Sequence, residues 1–492
     1  MDRRGQGSSS GRLGRLTVST PITSGGSDHR LTRDPRLWRL VVAASLGVFA
    51  IELDFFAVQA AIPDMARELD TSVTNLQWVI SGYMLANAAV FIVGGRIGDL
   101  LGRRRWLIIG MAGFGLTSLA GGLAPDGTFL IVMRLFQGVS AAFAFPLCLA
   151  VVTNAFPQEK VERAVGMVFG IAAIGEAFGP LIGGGLTTLI DWRAVLLVNV
   201  PVAIAVIVLA RTSVEESRDE TVPRSIDWIG LALVIMSIAT FTYGVDRASD
   251  WGWTAPATIG LMAAGLVGLV VFVLVERRVR VPLMDLSLFK IREFDLMTFA
   301  GAIGNMGTAS VIFTSMILLQ SVDRLSPGEA GLAFLGFSLG VALASQISGR
   351  LERFPSWLVM AAALACGGTG AIAMGLAAHL ATFVAVATIC GLGFGLTWAF
   401  TSVSTQAVVP PEKAGEASGV VLTIVVAMGG IAIAIASTLI ESAGPGSGEL
   451  ESALESVLVG VGTLGLVTSA VMVLLGRRAV KRGALAGDPA TG

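Results

Sequence analysis

Apolar residues along this chain gather into long blocks separated by short polar stretches. Fourteen blocks lie near 40–62, 76–96, 106–124, 128–150, 165–187, 194–210, 226–245, 256–275, 296–319, 329–348, 357–378, 381–403, 415–439 and 455–476. Each approaches the roughly 20 residues that an α-helix needs to cross a bilayer. The pattern predicts an all-α integral membrane protein with fourteen transmembrane helices. The first block is no signal peptide: its polar leader is too long and no small-residue cleavage site follows. Arg3-Arg4 lies too far from it to serve as a twin-arginine signal.

Composition points the same way. Hydrophobic residues make up 54% of the 492, before 61 glycines are counted, and charged residues only 14%, where a soluble protein carries about 25%. The net charge of −1 supplies no basic field for nucleic acid. Cys148, Cys366 and Cys390 all fall inside apolar blocks and read as small core residues, without disulfide or metal spacing.

The basic residues orient the chain. With the N-terminus in the cytoplasm, inside segments hold 29 of the 34 Lys and Arg, and outside loops only Arg67, Arg193, Arg247 and Arg324. This asymmetry is the positive-inside rule, so both termini are expected in the cytoplasm of a bacterial inner membrane. Residues 1–36 are rich in Gly, Ser and Arg and read as a disordered basic tail, with a second short tail at 479–492. No polar stretch is long enough for a soluble catalytic domain, and no P-loop is present. His29 and His379, the only histidines, belong to no metal or nucleophile constellation, so the chain reads as neither an enzyme nor a cofactor binder.

Three ionisable residues stand out deep within the blocks: Asp54, Arg134 and Glu176. Intramembrane charges are expensive and mark functional sites by default. At about 1.5 Å per residue, Asp54 and Arg134 reach similar depths and can pair, while Glu176 lies near the midplane. A nearby Arg favours an ionised carboxyl and an apolar cavity disfavours it. A contact made and broken between Asp54 and Arg134 would therefore load and release a proton; the alternative is a fixed structural ion pair. Glu176 is a second proton-carrier candidate, a charge match for cationic substrates, or a carboxyl bonded to a neighbouring helix. Gln59, Tyr83, Asn87, Gln137 and Asn305 are candidate polar points on a cavity wall, or interhelical hydrogen-bonding groups.

Between the second and third blocks the chain reads Gly95-Arg96-Ile97-Gly98-Asp99-Leu100-Leu101-Gly102-Arg103-Arg104-Arg105, more pattern than topology alone requires. In the fifth block Gly166, Gly175, Gly179-Pro180 and Gly183-Gly184 place small residues four apart, which lets helices pack backbone to backbone. These segments, with Arg134-Leu135-Phe136-Gln137-Gly138, Leu53-Asp54 to Pro63, and Trp192-Arg193 with Asn199 and Pro201, resemble the major facilitator superfamily. The likeness is to its fourteen-span drug:proton antiporter branch, and it covers about residues 38–478. Phe56 and Gln59 stand where that branch usually has Thr and Asn.

The resemblance implies two six-helix pseudo-repeat halves at 37–211 and 278–478, with a linker and two inserted helices at 212–277. It implies alternating access about a midplane site. Gly95, Arg96, Asp99, Gly102 and Arg103 would serve conformational switching, with Asp99 facing the start of the thirteenth span after Pro410-Pro411. Gly166, Gly175, Gly179, Pro180, Gly183 and Gly184 would pack the two halves together and limit proton leak. Gly349-Arg350-Leu351 is a degenerate copy of the first-half motif. The expected function is proton-driven export of hydrophobic small molecules such as drugs or antibiotics, with a bilayer, substrate and protons as partners and a monomer as the working unit. A dedicated exporter of one endogenous metabolite is the alternative, and a non-transporting receptor a more distant one.

Overall fold

The computed structural model describes residues 35–218, 227–351, 353–409, 413–442 and 447–481. The two expected tails lie outside the described residues, except that the first helix begins at Pro35 and the last runs on to Lys481. Fourteen long helices follow one another: α1 Pro35–Glu68, α2 Trp78–Leu101, α3 Arg103–Gly122, α4 Gly127–Ala155, α5 Gln158–Leu189, α6 Asn199–Ser213, α7 Trp228–Asp246, α8 Pro256–Glu276, α9 Arg292–Ile317, α10 Pro327–Leu351, α11 Ser356–Gly375, α12 Leu380–Ala407, α13 Ala414–Glu441 and α14 Ser447–Lys481. Thirteen helical segments are long and apolar enough to cross a membrane. α3 is the exception, because its first turn is Arg103-Arg104-Arg105.

Helices α1 to α6 pack as one bundle and α9 to α14 as another, while α7 and α8 pair with each other alongside α2 and α13. Each helix reverses direction, so the described chain ends lie at one end of the molecule, called here the terminal end. Cys148 and Cys390 are buried and Cys366 half-buried; all three are unbridged.

At the opposite end the bundles lock together. A Cβ on Gly184 of α5 would stand 2.0 Å from the Pro327 carbonyl of α10, and one on Gly331 2.5 Å from the Pro180 carbonyl. Gly328 N donates to Thr188 Oγ1 at 2.9 Å, and Gln320 Nε2 to the Ala60 carbonyl at 2.8 Å. Gly166 and Gly184 are eighteen residues apart, five whole turns, and so share a helix face. At Gly166 that face meets open space, as it does at Gly170. α5 and α10 therefore touch at one end and part at the other, leaving a cleft toward the terminal end.

The glycine motif of α5 thus has two faces, which corrects the expectation that all of it joins the halves. Cβ atoms on Gly175 and Gly183 would meet α1 backbone of the same bundle, at 2.8 Å from the Phe49 carbonyl and 2.1 Å from that of Ala57. Gly179 abuts Phe56 of α1 as well, at 2.4 Å from its Cβ. Only Pro180 and Gly184 reach the second bundle.

Side chains in such places overpack at about 1–3 kcal/mol each. Gly184→Leu should therefore lower the unfolding temperature of the purified protein, whereas Gly166→Ala should leave it unchanged. Equal melting of the two variants would contradict the one-ended seam.

Candidate functional site

Successive residues on an α-helix are turned by about 100°, so residues two apart face nearly opposite ways. In α1 that separation sorts two acids. Asp54 points into the first bundle, fully buried, and Glu52 points out of it into the cleft.

Asp54 meets Arg134 of α4, with Arg134 Nη1 donating to Asp54 Oδ2 at 2.5 Å and neither side chain exposed. Asp54 Oδ1 accepts from Asn199 Nδ2 of α6 at 2.6 Å and from Gln137 Nε2 at 3.1 Å. Arg134 also donates to Gln137 Oε1 at 2.9 Å and, through Nε, to the Val79 carbonyl of α2 at 2.8 Å. Its guanidinium lies 4.3 Å from the ring centre of Tyr83, a cation–π arrangement. Asn199 donates in turn to Ser118 of α3 at 3.0 Å. Arg134 Nη2 has no partner among the described residues. A dry ion pair persists only when further hydrogen bonds offset its desolvation, and here Gln137 on the same helix as Arg134, the Val79 carbonyl of α2 and Asn199 of α6 provide them.

Beside this cluster, between the bundles, lies a cavity enclosing about 850 Å³ of empty space, its open mouth included. From the first bundle it is lined by Glu52, Phe55, Tyr83, Asn87, Phe145 and Glu176, and from the second by Asn305, Thr308, Phe394, Trp398 and others. Glu176 follows Gly175, which packs on the α1 backbone at Phe49 and Leu53, so the two glutamates flank one helix contact.

Three of the five expected wall residues line the cavity: Tyr83, Asn87 and Asn305. Asn305 Nδ2 donates to the Val425 carbonyl at 2.8 Å, and Asn87 Nδ2 to that of Gly138 at 3.4 Å. Gln137 does not line it, being consumed by the ion pair. Gln59 is also buried elsewhere, its amide turned back to the Phe55 carbonyl of its own helix at 3.3 Å. Sequence reasoning missed Glu52, although an acid within an apolar block was signal enough. Asn199 was noted as part of a motif, but its bond to Asp54 was not foreseen.

At the terminal end, Arg103 Nε donates to Asp99 at 2.6 Å and Arg96 Nη1 to the Pro282 carbonyl at 3.3 Å. Gly102 has φ +125° with the Glu216 carboxylate packed where a Cβ would stand, a backbone conformation that favours glycine. Glu216 accepts from the backbone N–H groups of Arg104 and Arg105 at 3.1 and 3.2 Å, placing an acid at the positive start of α3. Gly95 packs near Pro146 of α4. Pro410-Pro411 lies outside the described residues, and the thirteenth span, whose start Asp99 is expected to face, begins just after it at Ala414.

Two bundles of long apolar helices thus enclose a central cavity between them. The family model of the Major Facilitator Superfamily matches residues 44–317 and 296–490. The chain is 35% identical over 389 residues to the multidrug resistance protein Stp of Mycobacterium tuberculosis, covering 77% of this chain and 71% of that one. It is 29% identical to the tetracenomycin C resistance and export protein of Streptomyces glaucescens, over 83% of this chain and 76% of the other. Its fold is similar to a crystal structure of the peptide transporter POT in complex with sulfate, with a TM-score of 0.67 at 13% identity over 91% of this chain and 96% of that one. The chain belongs to the major facilitator superfamily.

Removing one member of a buried ion pair strands the other and is destabilising by about 3–5 kcal/mol. Arg134→Met should show a loss of this size in chemical denaturation. Adding Asp54→Asn should recover part of it, and simple additivity of the two substitutions would refute the coupling.

Proposed function

We propose that this protein exports hydrophobic small molecules, drugs or antibiotics among them, in exchange for protons by alternating access between its two halves. The observation that carries the reading is a cavity between the bundles, open toward one end, directly beside the buried Asp54–Arg134 pair. The distribution of Lys and Arg assigns the open end to the cytoplasm, so the conformer described is one that receives substrate from inside. The organisation into halves at 37–211 and 278–478 with an insertion at 212–277 belongs to this reading, as does a working monomer.

The chemistry follows from the cluster. Ionised Asp54 accepts from Arg134, Gln137 and Asn199 and holds α1, α4 and α6 in register. A proton on Asp54 removes the charge that balances Arg134, and a buried unbalanced guanidinium drives rearrangement. One proton moving inward across 100 mV supplies about 2.3 kcal/mol, enough for a gradient of roughly 50-fold. Glu176, facing the cavity, is the second candidate carrier. Asp99 and Arg103, with Gly95, Arg96 and Gly102, form the element that switches at the cytoplasmic face.

Dedicated export of one self-made compound is the second reading, favoured by relatives such as the tetracenomycin C resistance and export protein. Drug accumulation in a pump-deficient bacterial host separates the two. Broad reduction of lipophilic compounds by the wild type, lost in Asp54→Asn at equal membrane expression, is expected for a coupled multidrug pump. No reduction for any compound in a broad panel would overturn that reading and favour the dedicated one.

A further inference from the structure

The second bundle carries a groove of its own, away from the central cavity. α10 and α11 each pack against α12 rather than against one another, and between them lies about 650 Å³ of empty space, its open side included. Leu351 of α10, Phe354 of the connecting turn, Leu358 and Cys366 of α11, and Leu392 and Leu396 of α12 are among its walls. Among the described residues those walls carry no charge, and their one polar side-chain atom, Cys366 Sγ, is turned to the Ile389 carbonyl at 3.4 Å. Phe354 and Leu358 are exposed at the mouth. Along α11 the groove runs from the first turn, which begins at Ser356, to Cys366. That distance is about 15 Å, half the roughly 30 Å hydrocarbon thickness of a bilayer. The groove therefore spans one leaflet, the one at the terminal end.

Its mouth lies beside Gly349-Arg350-Leu351, the degenerate second copy of the first-half motif, which has no part in the export mechanism above. In the first half the basic residues are engaged, Arg96 with the Pro282 carbonyl and Arg103 with Asp99. In the second half Arg350 and Arg353 are exposed, and neither has a hydrogen bond or ion pair among the described residues. Arg350 follows Ile347 by three residues and precedes Leu351, both on the wall, so it flanks that face of α10. The Arg353 guanidinium carbon lies 4.9 Å from the ring centre of Phe354, a cation–π arrangement that holds a positive charge at the mouth. Glu352, between the two in the sequence, lies outside the described residues.

Water does not settle in a groove that offers it no hydrogen-bond partners, and an unfilled groove forfeits the dispersion contacts of its lining. Within a bilayer the available filling is a hydrocarbon chain. The guanidinium groups at the mouth then select what that chain is attached to, because Arg matches phosphate in both charge and geometry. A zwitterionic headgroup brings a cation of its own to the same rim, where like charges repel. We infer that the groove between α10 and α11 binds an acyl chain of an anionic phospholipid, with Arg350 and Arg353 holding the headgroup phosphate. The site shares no residue with the central cavity or the buried ion pair, and its occupancy is measurable without transport.

The test uses the full-length protein in phosphatidylcholine nanodiscs containing a small fraction of photoreactive lipid, either phosphatidylglycerol or phosphatidylcholine with a diazirine in one acyl chain. Crosslinked peptides are mapped by mass spectrometry. In the wild type, phosphatidylglycerol is expected to label residues 358–366 and 392–396 well above phosphatidylcholine at the same places. Arg350→Gln/Arg353→Gln should lower that labelling by about tenfold or more, the scale of two basic residues at a membrane surface, and leave phosphatidylcholine labelling within about twofold. Arg350→Lys/Arg353→Lys, which keeps the charge, should retain most of it. Ala362→Phe, which fills the groove from an exposed position of its wall, should remove labelling of residues 392–396 by either lipid. Labelling of the lipid-facing α8, where Leu266, Val267 and Val270 are exposed, should stay constant throughout and so separate a lost site from a lost fold. Equal labelling of the groove by the two lipids in the wild type, undiminished phosphatidylglycerol labelling in the Arg350→Gln/Arg353→Gln protein, or labelling no stronger than on α8 would each overturn the site.

Discussion

A guanidinium and a carboxylate 2.5 Å apart in a dry helical bundle constrain everything packed around them. Taking both ions out of water is penalised by several kcal/mol each unless their remaining hydrogen-bonding capacity is met. Meeting it draws in Gln137 from the same helix as Arg134, the Val79 carbonyl of α2 and Asn199 of α6. Ser118 of α3 then holds Asn199. Five of the six helices in the first bundle thus converge on one charge pair. Their relative depths are set by donor and acceptor geometry rather than by apolar contact alone.

The seam between the bundles is closed at one end only. α5 and α10 meet where Gly184 and Gly331 let backbone approach backbone, and separate where the same face of α5 carries Gly166 and Gly170. The second bundle holds no counterpart of the ion pair: among the described residues, no charged side chain of α9 to α14 is buried. Its core is instead aromatic and aliphatic, with Phe313, Phe334 and Phe394 among the largest fully buried side chains. Charge chemistry is concentrated in one half, and the other supplies a mostly apolar wall for the cavity.

Much of this was legible in the sequence. Block length alone gave the helical membrane fold, and similar depth along the helices brought Asp54 and Arg134 together before any coordinates. What failed to read were features that depend on which way a residue faces. Glu52 hid beside Asp54 because two acids two positions apart look like one acidic locus in a string, yet a rotation of about 200° sends them to different environments. Gln59 and Gln137 looked like cavity residues for the same reason, and packing turned both away from it. The α5 glycines form a single motif in the sequence but two surfaces in space, one toward α1 and one toward α10. α3 is the least apolar of the fourteen, because Arg103-Arg104-Arg105 form its first turn, and it packs in the first bundle as the reading of fourteen spans expects.

The placement of Glu52 and Asp54 on α1 ties the cavity wall to the buried ion pair. Coupling requires that occupancy of one site change the free energy of the other. Here the two carboxylates are separated by a single residue, Leu53, on one continuous helix. Any tilt or rotation of α1 that adjusts Glu52 to a molecule in the cleft must also move Asp54 against Arg134, Gln137 and Asn199. Hydrogen bonds there weaken as they are drawn away from their preferred geometry. No chain of intermediaries across the protein is required, because the helix is itself the connection. The packing of Gly175, Gly179 and Gly183 against Phe49, Phe56 and Ala57 of α1 joins the helix that carries Glu176 to the one that carries Glu52 and Asp54.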